Sequence, residues 1–209
     1  MIYLYRQPKQ DESIIIGADP AEGGDNSTFV ALSRHYQDVI MVGQSKEESP
    51  QLGFTLSRVG KWFYQQTGLY PLIGVERNVG IATIHVLKES NYPEIYRSPA
   101  NLLEDTASEA YGWSTNMSSR PKMLDDLAMS IRQKEIKIPS KPIVDELFTF
   151  IRNAKTGKPE ADKQCHDDLI FALAIAWQIY QISPVVNNGW DDLDWQIQSQ
   201  REMDEIARI

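Results

Sequence analysis

Acidic side chains stand at three places where the surrounding sequence would bury them. Ile14-Ile15-Ile16-Gly17-Ala18-Asp19 is a β-branched run ending on a carboxylate, and Pro71-Leu72-Ile73-Gly74-Val75 likewise ends on Glu76. Asp167 and Asp168 stand together before Leu169, Ile170, Leu173, Ala176, Trp177 and Tyr180, an almost wholly apolar helical pattern. A carboxylate at the edge of a core strand loses hydration and needs a positive partner. Where several carboxylates meet, a cation fills that role, and hard oxygen ligands suit Mg²⁺ or Mn²⁺. Two such ions about 4 Å apart can clamp an in-line phosphodiester displacement, one activating water and the other stabilising the leaving 3′ oxygen. Asp19, Glu76, Asp167 and Asp168 are therefore the expected metal ligands and catalytic groups. Spacing does not choose between Asp167 and Asp168 for the shared position.

Each acid also has a plainer reading. Asp19 precedes Pro20 and the Gly23-Gly24 pair, which is ordinary turn chemistry. Glu76 could be a surface acid. Asp167 and Asp168 could be a helix N-cap and a partner for the helix dipole. Two apolar strands ending in acids, followed by paired acids before an apolar helix, favour the joint reading.

The elements that must position these groups can be read in order. Residues 1–13 are polar and expected to be a flexible lead-in. Ile14–Asp19, Thr28–Ser33 and Asp38–Gln44 form an antiparallel meander with short turns. Pro50 opens a helix to Gln66 that Gly68 terminates, and a buried strand then reaches Glu76. A helix carrying Ile81, Ile84 and Leu87 follows, then short strands at Ile95-Tyr96 and Ile136–Ile138. Residues 98–119 read as a long loop, helices start at Pro121 and Pro142, and Lys155–Lys158 reads as a hairpin tip. Alternating strands and helices after the meander predict a mixed α/β sheet with helices on both faces. The domain is expected over 14–183, with an acidic C-terminal tail at 184–209.

Composition bounds the setting. The chain has 209 residues, 42% of them hydrophobic, enough for a full core. Cys165 is the one cysteine, so no disulfide forms within the chain, and it reads as a small residue near a helix start. No apolar run is long enough to span a bilayer, which points to the cytosol. The net charge of −8 argues against a nucleic-acid partner. Its distribution does not, since residues 120–163 carry ten basic and seven acidic side chains, and bound metal cancels the repulsion of an acid cluster for phosphate. Arg77, Arg120, Lys122, Lys155 and Lys158 are candidates for phosphate contact, with solvated surface as the plain alternative. Asp25 and His166 could stand behind the metal ligands. Trp113 could stack on a base or pack in the core.

The residues also resemble a known family. Ile16-Gly17-Ala18-Asp19-Pro20-Ala21-Glu22-Gly23-Gly24-Asp25, Gly74-Val75-Glu76-Arg77-Asn78-Val79-Gly80 and His166-Asp167-Asp168-Leu169 look like motifs of the nuclease domain of the large terminase subunit of tailed bacteriophages. Tyr111-Gly112-Trp113-Ser114-Thr115 and Arg120-Pro121-Lys122-Met123 look like its loop and helix. The resemblance covers residues 14–182 and implies an RNase H-like (RuvC-type) fold with Asp19, Glu76 and Asp167 or Asp168 as ligands. It implies endonucleolytic cutting of concatemeric viral double-stranded DNA during packaging in the cytoplasm of the bacterial host. The implied partners are an ATPase domain, the portal and a small terminase subunit. No G-x-x-x-x-G-K-[ST] occurs, so ATP hydrolysis is not expected of this chain. The rival readings are a junction resolvase or transposase, and a non-catalytic module that docks on DNA or the portal.

Overall fold

The computed structural model describes residues 1–21, 26–98, 110–116, 119–152, 159–161 and 166–183. Its centre is a five-stranded sheet built from β1 (Ile2–Leu4), β2 (Ile14–Asp19), β3 (Ser27–Ser33), β4 (Val39–Ser45) and β5 (Leu72–Val75). The strand order is β1-β4-β3-β2-β5. Four strands form the antiparallel part, and β5 joins parallel to β2. The expected meander and the expected mixed sheet are both present.

Period-two alternation divides the side chains of β2 between two cores. Ile14, Ile16 and Ala18 pack with Leu52, Leu56 and Phe63 of α1 (Ser49–Thr67) and with Ile84 and Leu87 of α2 (Ile81–Glu89). Ile15 packs on the opposite side, where α3 (Ser119–Gln133), α4 (Lys141–Thr149) and α5 (Asp168–Ile182) gather. Helix α5 is apolar all round, and its residues from Leu169 to Ile179 are all buried. Such a helix belongs inside a layer rather than on a surface. The two-residue strands β6 (Arg97–Ser98) and β7 (Ala110–Tyr111) pair with each other. So do β8 (Phe150–Arg152) and β9 (Pro159–Ala161), on either side of the expected hairpin tip.

Three expectations change. Residues 1–13 are no loose lead-in: β1 pairs with β4, and the Tyr5 amide donates to Ile40 O at 2.8 Å. Arg6 Nε donates to Asp38 Oδ2 at 2.6 Å, and its Nη2 donates to buried Glu12 at 2.5 Å. Polar composition concealed this segment because its backbone, not an apolar face, completes the sheet edge. The strands expected at Ile95-Tyr96 and Ile136–Ile138 reduce to single bridges, Ile95 with Ile73 and Lys137 with Asp38. Short apolar runs at an edge bury side chains without building a ladder. Most of the long loop at 98–119 falls outside the described residues, as do the tail after Ser183, Cys165 and the Gly23-Gly24 turn.

Helix α5 reaches the sheet through two glycines. A Cβ at Gly17 would lie 2.1 Å from Ala172 O and 2.6 Å from Ala176 N, and one at Gly74 would lie 2.0 Å from Ile179 Cδ1. The Gly17 contact is with backbone, which cannot swing aside as a side-chain tip can. Gly17→Ala should therefore destabilise the fold by about 3 kcal/mol, the upper range for an overpacked core. Urea unfolding monitored by circular dichroism measures this, and a loss under about 0.5 kcal/mol, the size of a surface substitution, would contradict the close approach.

Candidate metal centre

Asp19 follows Gly17 by two residues, so its side chain leaves β2 on the α5 side. The parallel register pairs Gly17 with Gly74 and Ala18 with Val75, and the Glu76 amide donates to Ala18 O at 2.8 Å. Glu76 is thereby carried beside Asp19 and, two residues beyond Gly74, onto the same side. In each strand a glycine admits the helix and an acid follows at its end.

Glu76 is 8% exposed, and its Oε2 accepts from the Val79 amide at 3.1 Å. The turn after β5 thus holds the carboxylate that the strand delivers. Next to it, the Trp113 amide donates to Val75 O and the Arg77 amide donates to Trp113 O, both at 2.8 Å. Gly112 has φ of 88°, a left-handed conformation suited to glycine, and lets the chain turn into this bridge. Trp113 packs against the core, its ring centroid 6.0 Å from that of Tyr96. This is the packing role rather than an exposed stacking platform.

The third acid position arrives from α5. Thr28, the cross-strand partner of Asp19, donates through Oγ1 to Asp168 O at 2.9 Å. One hydrogen bond therefore ties the start of the helix to the strand beside the first acid. Asp167 occupies the N-cap position but makes no cap bond with its own helix. The amides of Leu169 and Ile170 donate instead to Glu146 Oε2 of α4, at 3.0 and 3.2 Å. Sequence reasoning missed Glu146. Its signal was an acid on the buried stripe of α4, three residues after Ile143 and beside Leu147.

The four expected acids act on one another. Burial, then the charges of Asp168, Glu76 and Asp167, push the Asp19 carboxyl well above the ordinary carboxylate range, with Arg120 opposing them. Glu146 is pushed up to about 7 by burial, reinforced by Asp168 and Asp167 and countered by the amides of Ile170 and Leu169. Arg120 lies 3.8 Å from Asp167 Oδ2, with its guanidinium 4.1 Å from the centre of the Phe171 ring. His166 Nδ1 lies 3.6 Å from Asp168 Oδ2. Lys122 bonds Asp126 at 2.9 Å on an exposed face. Asp25, Lys155 and Lys158 lie outside the described residues.

Among the described residues, no three His, Cys, Asp or Glu groups already form a cage around a metal-sized space. The donor set nevertheless fits a hard divalent cation. It consists of carboxylate oxygens, it leaves a half-buried acid repelled by three others, and the opposing charge acting on that acid is one arginine. A cation would remove the repulsion.

Solved structures share this architecture. The large terminase nuclease of thermophilic phage G20c matches with a TM-score of 0.62 and 19% identity, covering 85% of this chain and 87% of that one. The nuclease domain of Thermus phage P74-26 large terminase matches at 0.61 and 20%, covering 88% and 87%. The fold is that of a large-terminase nuclease domain. It extends to the human cytomegalovirus terminase nuclease domain, at a TM-score of 0.54 and 12% identity over 80% and 82% of the two chains. The G20c nuclease has been solved with magnesium bound, and the cytomegalovirus domain after soaking in manganese. No family model and no curated protein matches the sequence.

The electrostatics predict a pH-dependent metal effect. Asp19 binds its proton more tightly when folded, so its contribution to stability is lost as pH rises from the ordinary carboxylate value toward its raised one. Glu146 has the same sign between 4.5 and about 7. Metal binds deprotonated Asp19 and competes with its proton. Mn²⁺ should therefore raise the melting temperature more at about pH 8 than at about pH 5.5, and Asp19→Asn should abolish that rise while making the metal-free protein more stable. Thermal melts in Mn²⁺ and in EDTA test this. Equal Mn²⁺ shifts in wild type and Asp19→Asn would remove the acids from consideration as the binding site.

Proposed function

We propose that this chain is a divalent-metal-dependent DNA endonuclease of the terminase type, with Asp19, Glu76, Asp168 and Asp167 as the metal-holding groups. The observation that supports it best is the meeting of these acids at one sheet end, in a fold shared with terminase nucleases that bind divalent ions. Bound Mg²⁺ or Mn²⁺, in a pair, supplies an activated water and charge stabilisation for the leaving 3′ oxygen. The strand acids Asp19 and Glu76 supply rigid oxygen donors, fixed by the ladder and by the Val79 amide. Asp167 and Asp168 both bring a carboxylate from the start of α5, and the charges of both act on Asp19.

Arg120 stands at the acid cluster, 3.8 Å from Asp167 Oδ2, with its side chain 46% exposed. With a cation held by the acids, its guanidinium would be available to a scissile or neighbouring phosphate. The substrate is double-stranded viral DNA in concatemeric form, cut in the cytoplasm of an infected bacterium. An ATPase domain, the portal and a small terminase subunit present that DNA to the acidic chain. Among the described residues, no helix is long and apolar enough to cross a membrane.

Plasmid cleavage in Mn²⁺, Mg²⁺ and EDTA tests the reading. Cutting is expected with either ion, faster with Mn²⁺, absent in EDTA and lost in Asp19→Ala. Cutting that survives Asp19→Ala would refute it. For Arg120→Ala, DNA affinity should weaken similarly for unrelated sequences, and the dependence of log affinity on log salt should flatten by about 1. An unchanged salt slope would deny Arg120 a phosphate contact.

A further inference from the structure

An aspartate at a helix N-cap ordinarily turns its carboxylate back onto the amides two and three residues ahead. Asp167 stands at that position, yet the amides it would satisfy, those of Leu169 and Ile170, both donate to Glu146 Oε2. Asp167 faces Arg120 at 3.8 Å instead. Glu146 is only 8% exposed, and its helix is anchored by fully buried Ile143 and capped by Ser140, whose Oγ accepts from the Ile143 amide. A buried acid is costly, and a surface position on α4 would avoid that cost. Its placement serves the neighbouring helix.

We propose that Glu146 is a positioning residue which caps α5 from outside, leaving the carboxylates of Asp167 and Asp168 turned toward Asp19 and Glu76 for the cation. The inference rests on the metal-centre reading above. Without Glu146, the bare amides would draw Asp167 into the ordinary cap and take its oxygens away from the centre. Both amides use a single oxygen of Glu146, so the carbonyl oxygen of a glutamine at this position can accept both. An aspartate keeps the charge but is one methylene too short to reach.

These two variants separate capping from charge. Wild type, Glu146→Gln, Glu146→Asp and Asp19→Ala are compared by amide hydrogen exchange without metal, and by calorimetric titration with Mn²⁺ alone. Glu146→Gln should keep the protection of the Leu169 and Ile170 amides and bind Mn²⁺ like wild type. Glu146→Asp should lose that protection and bind Mn²⁺ about tenfold more weakly, the scale seen for residues that orient metal ligands. The opposite ranking, with Gln weak and Asp normal, would overturn the proposal in favour of a charge effect. Unchanged exchange in Glu146→Asp, with normal Mn²⁺ binding by wild type, would overturn it alone. If wild type binds Mn²⁺ no better than Asp19→Ala, the metal-centre reading falls and the proposal falls with it. The Gln variant retains the cap and shape, so the comparison stands even if Glu146→Asp melts early.

Discussion

The backbone of α5 lies against Gly17 with no room for a methyl group between them, and the arrangement of the acids follows from that contact. A helix held at normal distance by side chains would start its first turn well above the strand ends. Close packing lowers the α5 N-terminus to the level where β2 and β5 deliver Asp19 and Glu76. Thr28 and Glu146 then secure the first turn, one through the Asp168 carbonyl and the other through two amides. Burial of α5 between α3, α4 and the sheet supplies the hydrophobic stabilisation that holds this geometry against the repulsion it creates.

That repulsion is a local conflict within an otherwise consistent fold. Four carboxylates share one end of a sheet, and burial, reinforced by the charges of the other three, makes Asp19 hold its proton abnormally tightly. Groups with strongly displaced proton affinity cluster at functional sites. The N-terminus of α5 softens the conflict, since the helix dipole favours negative charge nearby. Arg120, stacked on Phe171, adds one positive charge. Neither matches a divalent ion in charge density.

The solved structures with this fold share a fifth or less of their residues with this chain, yet they match it over most of both chains. Such divergence is expected where volume and hydrophobic pattern, rather than particular apolar side chains, determine the core. The edge of the sheet illustrates the freedom available. Here β1 and the Arg6, Glu12 and Asp38 network complete it, although residues 1–13 have no apolar periodicity to announce a strand.

By itself, the sequence determined the meander, the strand to Glu76, the apolar last helix and the acids at their ends. These are local properties, carried by period-two and helical patterns and by turn residues next to one another in the chain. The positions of Asp19, Glu76 and Asp167-Asp168 were legible for the same reason, since each stands where an apolar run begins or stops. Tertiary structure alone decided the rest. The pairing of β1 is made by backbone groups that every sequence possesses, so composition does not mark it. The division of labour between Asp167 and Glu146 depends on which carboxylate reaches the α5 amides first, across 23 or 24 residues of chain. Arg120 became distinguishable from Lys122 only when one met Asp167 and the other met Asp126. Contacts between residues distant in the chain depend on the packing of whole elements, and a one-dimensional pattern contains no record of that geometry.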